Sequence, residues 1–389
     1  MMDIWGVTGT NGKTTTAWVL GELLGGENVC GHVTTVEVWT GKRRFSSGYT
    51  TPPLPVLKDI FAEMNSAGMR HCTIEVSSHA IHQHRTGDTT FAGGAFTNLT
   101  EDHLDYHKTM DAYFEVKADF FRRLAACSPG APAAVCVDGD YGRKLAEICR
   151  NLPLDLVTCS TCEGTVADLM AHDIEVSPEG SSFTLSAPRH GGEWRVSCPL
   201  AGRYNVENVL AASALAFGAG VPAMRIVETI PLLEPRWGRL ERVPSASPAT
   251  VFVDYAHTDD ALANVLSTVK GFTKGNVWAV FGAGGDRDRA KRPLMGAAAA
   301  AHADRLVVTS DNPRSEDPRA IIGEIEAGIP VGTDFVSEPD RATAIRYALA
   351  HAVGGDSIVI CGKGHETTQE IAGVKYPFDD RDQVRSFVR

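Results

Sequence analysis

The chain has 389 residues, 43% hydrophobic and 22% charged, enough for two or three domains each with its own core. A formal charge of −11 argues against a nucleic-acid surface, which needs a basic face, and no apolar stretch reaches the length of a membrane span. Nine cysteines lack a paired-spacing framework, and no charged-then-apolar leader precedes the first strand, so a reducing, cytoplasmic setting is expected.

The apolar run Ile4-Trp5-Gly6-Val7-Thr8 reads as a strand, and Ala17-Trp18-Val19-Leu20 as the body of a helix. Between them lies Gly9-Thr10-Asn11-Gly12-Lys13-Thr14-Thr15. A strand, a Gly-rich turn and a helix N-terminus together form an anion site, because backbone N–H groups and the helix dipole face the phosphates. Lys13 would reach the outer phosphates and the Thr14 hydroxyl would hold Mg²⁺. The spacing departs from G-x-x-x-x-G-K-[ST], since Val7 stands five residues before Gly12, but the G-K-T core and its context are intact. A bound nucleoside triphosphate is expected.

Further strands are predicted at 33–39, 43–47, 71–76, 94–97, 133–137 and 155–159, with helices at 54–67 and 110–125. The second helix groups Tyr113, Phe114, Lys117, Phe120 and Phe121 on one side. Glu75-Val76-Ser77-Ser78-His79 ends a strand of the same sheet, where Glu75 could hold Mg²⁺ or be a solvated strand end. His79, His82, His84 and Arg85 follow without a diagnostic zinc spacing. Asp and His in the polar run Thr97 to His107 could ligate metal or cap the next helix. Cys159-Ser160-Thr161-Cys162, the one C-x-x-C, has no second pair and reads as ordinary thiols.

From 173 to 199 the pattern turns antiparallel, with a hairpin around Pro178-Glu179-Gly180 and a third strand at 194–198. Helices at 206–217 and 224–232 follow, and a boundary falls near 233–236. Strands at 251–255, 277–282, 305–309 and 357–361, separated by helices, then predict a parallel, doubly wound sheet. The expected fold is therefore α/β. A P-loop-type, mostly parallel central domain spans 1–234, and a Rossmann-like C-terminal domain spans 235–389. Gly282-Ala283-Gly284-Gly285 lacks the full G-x-G-x-x-G of a dinucleotide site.

Taken in order, the motifs resemble the Mur ligases, ATP-dependent enzymes that join an amino acid to a carboxylate. The resemblance runs through Gly9 to Thr15, Glu75 to His79, Thr97 to Tyr106, Lys117, Tyr204 to Asn208, Gly238 to Glu241 and Asp254 to Thr258. It continues through Gly282 to Pro293, Asp311-Asn312-Pro313-Arg314 and Gly362-Lys363-Gly364-His365-Glu366. Within the family the chain is most similar to the type that adds the third residue of the peptidoglycan stem peptide.

That resemblance implies an acyl phosphate made from ATP and attacked by the incoming amine. It implies one Mg²⁺ on Thr14 and Glu75, and a second on His103 and a carbamylated Lys117. Lys13, Glu75, His103 and Lys117 would be the catalytic set. ATP would lie on residues Gly9 to Thr15, with the adenine near Asn205 and Asn208 and the ribose or phosphates near Arg239 and Asp254. Thr50, Thr51, Ser77, Gln83 and Arg85 would meet the muramoyl-peptide acceptor. Arg287, Asn312, Arg314, Gly362 and Glu366 would hold the amino acid, and the D-N-P-R form at 311–314 accompanies meso-diaminopimelate.

A family member carries an N-terminal domain that grips the UDP part of its acceptor. Here the first strand begins almost at the initiator, so UDP recognition is expected from a separate partner or not at all. Three readings follow. The acceptor is UDP-MurNAc-L-Ala-D-Glu, or it is a smaller carboxylate without UDP, or the chain is an ATP-binding scaffold without turnover. No nucleic-acid or membrane partner is expected.

Overall fold

The computed structural model describes residues 2–388, apart from the side chains of Asp105 and His190. It divides into two units, Met1–Glu175 with Gly180–Leu233, and Val176–Glu179 with Glu234–Arg389.

The first unit is organised by one long sheet. Its strands in chain order are β1 (Asp3–Thr8), β2 (Cys30–Val33), β3 (Val38–Trp39), β4 (Arg44–Phe45), β5 (His71–Glu75), β6 (Gly93–Phe96), β7 (Pro132–Cys136), β8 (Asp155–Ser160), β9 (Leu169–Ser177), β10 (Gly180–Ala187) and β11 (Gly192–Cys198). Across the sheet the order is β11-β10-β9-β8-β7-β6-β1-β5-β2-β3-β4. From β2 to β9 the neighbours run parallel, and the β10–β11 pair and the β2–β3–β4 edge are antiparallel. Parallel strands need cover on both faces, and β6 and β7 are accordingly buried along their whole length. The chain leaves β1 toward β2 on one side and later fills β6 on the other. A crevice therefore opens at the carboxyl end of β1, where such sheets bind ligands.

Two predicted elements are corrected here. The strand expected at 33–39 is two strands, because Thr34 and Glu37 close a turn between them. Thr34 N donates to Glu37 O (3.0 Å), and the Thr34 hydroxyl both donates to that carbonyl (2.9 Å) and accepts from Glu37 N (3.0 Å). The helix expected at 224–232 is Ala223–Thr229 followed by a 3₁₀ turn, Ile230–Leu232, that begins where Pro231 removes a donor.

The second unit holds a six-stranded sheet ordered β12-β13-β17-β14-β15-β16. Its strands are β12 (Glu241–Arg242), β13 (Thr250–Asp254), β14 (Val277–Phe281), β15 (Arg305–Thr309), β16 (Phe335–Glu338) and β17 (Ser357–Cys361). All pair in parallel except the short edge strand β12. A separate hairpin, β18 (Thr368–Ile371) and β19 (Val374–Pro377), follows. Under the carboxyl ends of β15 and β17 lies a fully buried ion pair, Arg341 with Asp380. Arg341 Nε and Nη2 donate to the two carboxylate oxygens (2.8 and 2.7 Å), and the same guanidinium caps the carbonyls of Ser310 (3.2 Å) and Cys361 (2.9 Å). It thereby ties together the two loops that leave those strands.

All nine cysteines are free; Cys127 is exposed, Cys162 half-buried and the others buried. Among the described residues no helix is long and apolar enough to cross a membrane.

Candidate active site

The phosphate loop leaves β1 and ends at Gly12, whose positive φ of 84° starts the helix Lys13–Leu24. Glycine is required there twice over. An L side chain disfavours that φ, and a Cβ would lie 2.0 Å from Asn208 Oδ1. The loop is held from β6 outward: Thr10 N donates to Asn98 O (2.9 Å), Asn11 N to Asn98 Oδ1 (2.9 Å), and the Thr97 hydroxyl to Asn11 O (2.7 Å). Thr10 Oγ1 shares a hydrogen bond with Tyr113 OH (3.2 Å). Lys13 Nζ reaches back to the carbonyls of Thr10 (2.7 Å) and Gly9 (3.1 Å). Thr15 is buried in the first helical turn.

Thr14 and Glu75 meet as expected from their positions at the ends of the loop and of β5. The Thr14 hydroxyl donates to Glu75 Oε1 at 2.8 Å, and Thr35 adds its N–H to Oε1 (2.8 Å) and its hydroxyl to Oε2 (3.1 Å). Glu75 is 1% exposed, and among the described residues no Lys or Arg forms an ion pair with it. A buried carboxylate with only neutral donors is short of positive charge, which suits a hard cation held by oxygen ligands.

Lys117 lies on the helix Met110–Cys127 with 1% of its surface exposed. Its Nζ donates to Gly9 O (2.8 Å) and contacts Thr8 Oγ1 (3.5 Å) and the Tyr113 ring (4.7 Å). Burial, reinforced by the charge of Lys13, pushes this amine well below the usual lysine range. His103 adopts a left-handed φ of 54°, lies 3.4 Å from Asp102, and meets His79 edge-on at 5.0 Å. Burial lowers its imidazole to about 4, with Lys13 and Lys117 among the charges acting the same way. Among the described residues no three His, Cys, Asp or Glu side chains form a metal cluster.

The residues assigned to the acceptor share one network with Glu75. Thr51 Oγ1 donates to Glu75 O (2.8 Å) and accepts from Ser77 N (3.0 Å), while the Thr50 and Thr35 hydroxyls lie 3.0 Å apart. Arg85 donates to Thr51 O (3.2 Å) and Gln83 Oε1 (2.9 Å), and Gln83 reaches Tyr106 OH (3.3 Å). On the helix Arg203–Gly218, Asn205 donates to Ala201 O (2.7 Å). Asn208 donates to Asn205 (3.3 Å) and accepts from Thr16 (3.4 Å) beside the phosphate loop.

In the second unit, Asp254 at the end of β13 accepts from Leu240 N (2.6 Å) and Ala256 N (2.7 Å). Burial raises its carboxyl against the opposing charge of Arg239. Arg239 lies over the Tyr255 ring at 4.7 Å. Farther along the same strand ends, the loops after β15 and β17 converge. Asn312 Nδ2 donates to Glu366 Oε2 (2.7 Å), and Gly362 lies against Asp311, whose Oδ2 is 2.3 Å from where a Cβ would be. Arg314 donates from Nη1 to Gly285 O (2.6 Å) and forms no ion pair among the described residues, although its charge helps lower the nearby Asp286 carboxyl. Exposed Arg287 donates only to Asp286 O (3.2 Å) among the described residues.

Sequence reasoning left Thr35 and Asn98 without a role. Thr35 was hidden inside a segment read as continuous strand. Asn98 was visible in the polar run after β6, but its use as a brace for the loop required the sheet order.

Two family descriptions match the chain: Mur ligase middle domain over residues 7–216, and Mur ligase, glutamate ligase domain, over residues 238–364. The chain is a Mur ligase. It is 42% identical to the UDP-N-acetylmuramoyl-L-alanyl-D-glutamate--2,6-diaminopimelate ligase of Parasynechococcus marenigrum, over 100% of this chain and 78% of that protein. The ligase of the same name from Streptomyces coelicolor is 41% identical over 99% of this chain and 75% of its own length. A solved structure of a protein of that name superposes with a TM-score of 0.69 at 36% identity, covering 99% of this Mur ligase and 78% of that chain. The folylpolyglutamate synthase of Mycobacterium tuberculosis shares the fold at 18% identity and a TM-score of 0.69, over 93% of this chain and 88% of that one. This Mur ligase is accordingly an ATP-dependent ligase, spanning about four fifths of the length of the relatives it matches.

Proposed function

We propose that this Mur ligase joins meso-diaminopimelate to the D-Glu carboxyl of UDP-MurNAc-L-Ala-D-Glu through an acyl phosphate, in peptidoglycan precursor synthesis. One observation supports the amino-acid assignment: the hydrogen bond from Asn312 Nδ2 to Glu366 Oε2 sets that carboxylate against the loop that carries Arg314, a guanidinium with no ion-pair partner among the described residues. Diaminopimelate ends in a carboxylate and an ammonium on one carbon, and a guanidinium with a carboxylate complements that pair. Lysine lacks the distal carboxylate and would leave Arg314 unmatched. The names carried by relatives at 42% identity agree with this reading.

In the first unit Lys13 and the N–H groups of the loop would take the phosphates of the nucleotide. Thr14 and Glu75 would hold Mg²⁺, and His103 with a carbamylated Lys117 a second, since a neutral, buried amine is what captures CO₂. Bound there, Mg²⁺ supplies charge neutralisation for phosphoryl transfer. The acceptor carboxylate, positioned by Thr51, Ser77, Gln83 and Arg85, takes the terminal phosphoryl group. The amine of diaminopimelate then attacks the acyl carbon and phosphate leaves. Asn205 and Asn208 would lie near the adenine, and Arg239 and Asp254 near the ribose or phosphates.

The test is phosphate release with ATP, Mg²⁺ and meso-diaminopimelate while the acceptor is varied. Turnover with UDP-MurNAc-L-Ala-D-Glu is the expected result. Turnover only with an acceptor lacking UDP would move the assignment to another carboxylate, and no turnover with any acceptor would overturn it.

A further inference from the structure

Lys363 stands between the two pocket loops and is assigned no role by the ligase chemistry. It is fully buried, an unusual place for an ammonium, and each of its three donors is used. They go to Glu366 Oε2 (2.9 Å), Thr368 O (2.6 Å) and Asn312 Oδ1 (3.3 Å). Three separate segments meet on one nitrogen: the loop after β15, the loop after β17 and the start of β18.

The consequence for Asn312 is an amide with one possible orientation. Its Oδ1 receives Lys363 Nζ and the N–H of Glu370 (2.9 Å), so its Nδ2 must be the atom that faces Glu366. Glu366 is fixed in turn. Its Oε2 accepts from both Lys363 and Asn312, while Oε1 has no partner among the described residues. Lys363 also supplies the opposite charge that keeps the carboxylate ionised in a desolvated place, holding it below the usual carboxylate range.

We infer that Lys363 is a positioning residue for the amino-acid substrate, clamping Asn312 and Glu366 so that one oxygen of Glu366 is presented to the substrate ammonium. The inference rests on the diaminopimelate pocket proposed above. A plain loop staple would need only the Thr368 carbonyl; here two of the three acceptors are pocket side chains.

The experiment compares Lys363→Met, Lys363→Gln and Glu366→Gln in the full chain, measuring KM for meso-diaminopimelate, KM for ATP and the pH profile of kcat/KM. The titratable groups facing Glu366 are Lys363 and His365 on its own loop, with Asp311 across from it on the loop after β15. Lys363→Met should raise KM for diaminopimelate on the order of a hundredfold, leave KM for ATP unchanged, and move the acidic limb to higher pH. Lys363→Gln, which keeps a donor, should recover part of the KM effect but not the acidic limb. Unchanged diaminopimelate KM and acidic limb would overturn the inference, and so would loss of folding in both Lys363 variants. If Glu366→Gln leaves the diaminopimelate KM unchanged, the pocket reading itself fails. If it raises that KM while Lys363→Met does not, only the role of Lys363 fails.

Discussion

Arg314→Ala is the substitution that bears most directly on which amino acid this Mur ligase uses. The structure lets the loss be separated into fold and function. Arg314 already has a positive φ of 51°, a strain that Ala shares, so the backbone cost is the same before and after. The backbone anchors also remain, since Arg314 N donates to Glu370 O (3.0 Å) and its carbonyl accepts from Ala372 N (2.7 Å). What the fold loses is the bond from Nη1 to Gly285 O, about 1 kcal/mol, or a few degrees in Tm. What the substrate loses is a bidentate contact, two charge-assisted hydrogen bonds of about 1.5–3 kcal/mol each. Together these are about 3–6 kcal/mol, a rise in the diaminopimelate KM of roughly two to four powers of ten. Phosphate release should be followed while titrating meso-diaminopimelate and, separately, L-lysine. Discrimination between the two should shrink by the same factor. An unchanged diaminopimelate KM in a folded variant would refute the assignment of Arg314 to the distal carboxylate.

Other perturbations follow from the same geometry. Glu75→Gln keeps an oxygen for Thr14 and Thr35 but removes the buried charge. It should cut turnover by about a hundredfold or more and weaken the response to Mg²⁺ titration, with little change in Tm. Gly12→Ala places a Cβ 2.0 Å from Asn208 Oδ1 and costs about 1–2 kcal/mol of backbone strain besides, so both Tm and ATP affinity should fall. Arg341→Leu leaves Asp380 charged and buried without its partner and should lower the urea-unfolding free energy by about 3–5 kcal/mol. Burial holds the His365 imidazole down at about 4. Its stabilising effect is present above the unfolded-state value of about 6.5 and is lost as pH falls toward the folded value. Urea midpoints measured through that window should fall less steeply in His365→Phe than in the parent.

The parallel strands were legible because their signal is local. β15 and β17 carry the continuous apolar runs Leu306–Val308 and Ile358–Cys361, buried on both faces, and their bounds agree with the sequence reading. The split of β2 from β3 was not legible, since Thr34 and Glu37 close their turn through a side chain rather than through Gly or Pro. β16 was missed because Phe335–Glu338 is a short edge strand with no fully buried position. At the site, the phosphate loop announced itself by its Gly12-Lys13-Thr14 core between a strand and a helix. The brace from Asn98, the two bonds from Thr35 and the clamp by Lys363 did not, because each joins residues far apart in sequence. Only the sheet order brings them together.

The distribution of thiols has a practical consequence for studying turnover. The thiolate is the form that alkylating reagents attack, and burial pushes Cys30, Cys149 and Cys198 up to about 12, and Cys72 and Cys361 well above the usual thiol range. Cys127 is exposed at the last position of Met110–Cys127, the helix that carries Lys117, with half-buried Cys162 the next most accessible. The unmodified sequence thus offers one preferred attachment point for a dye on the element that supports the candidate catalytic lysine. Fluorescence could then report on that helix during the reaction without any cysteine having to be removed or introduced.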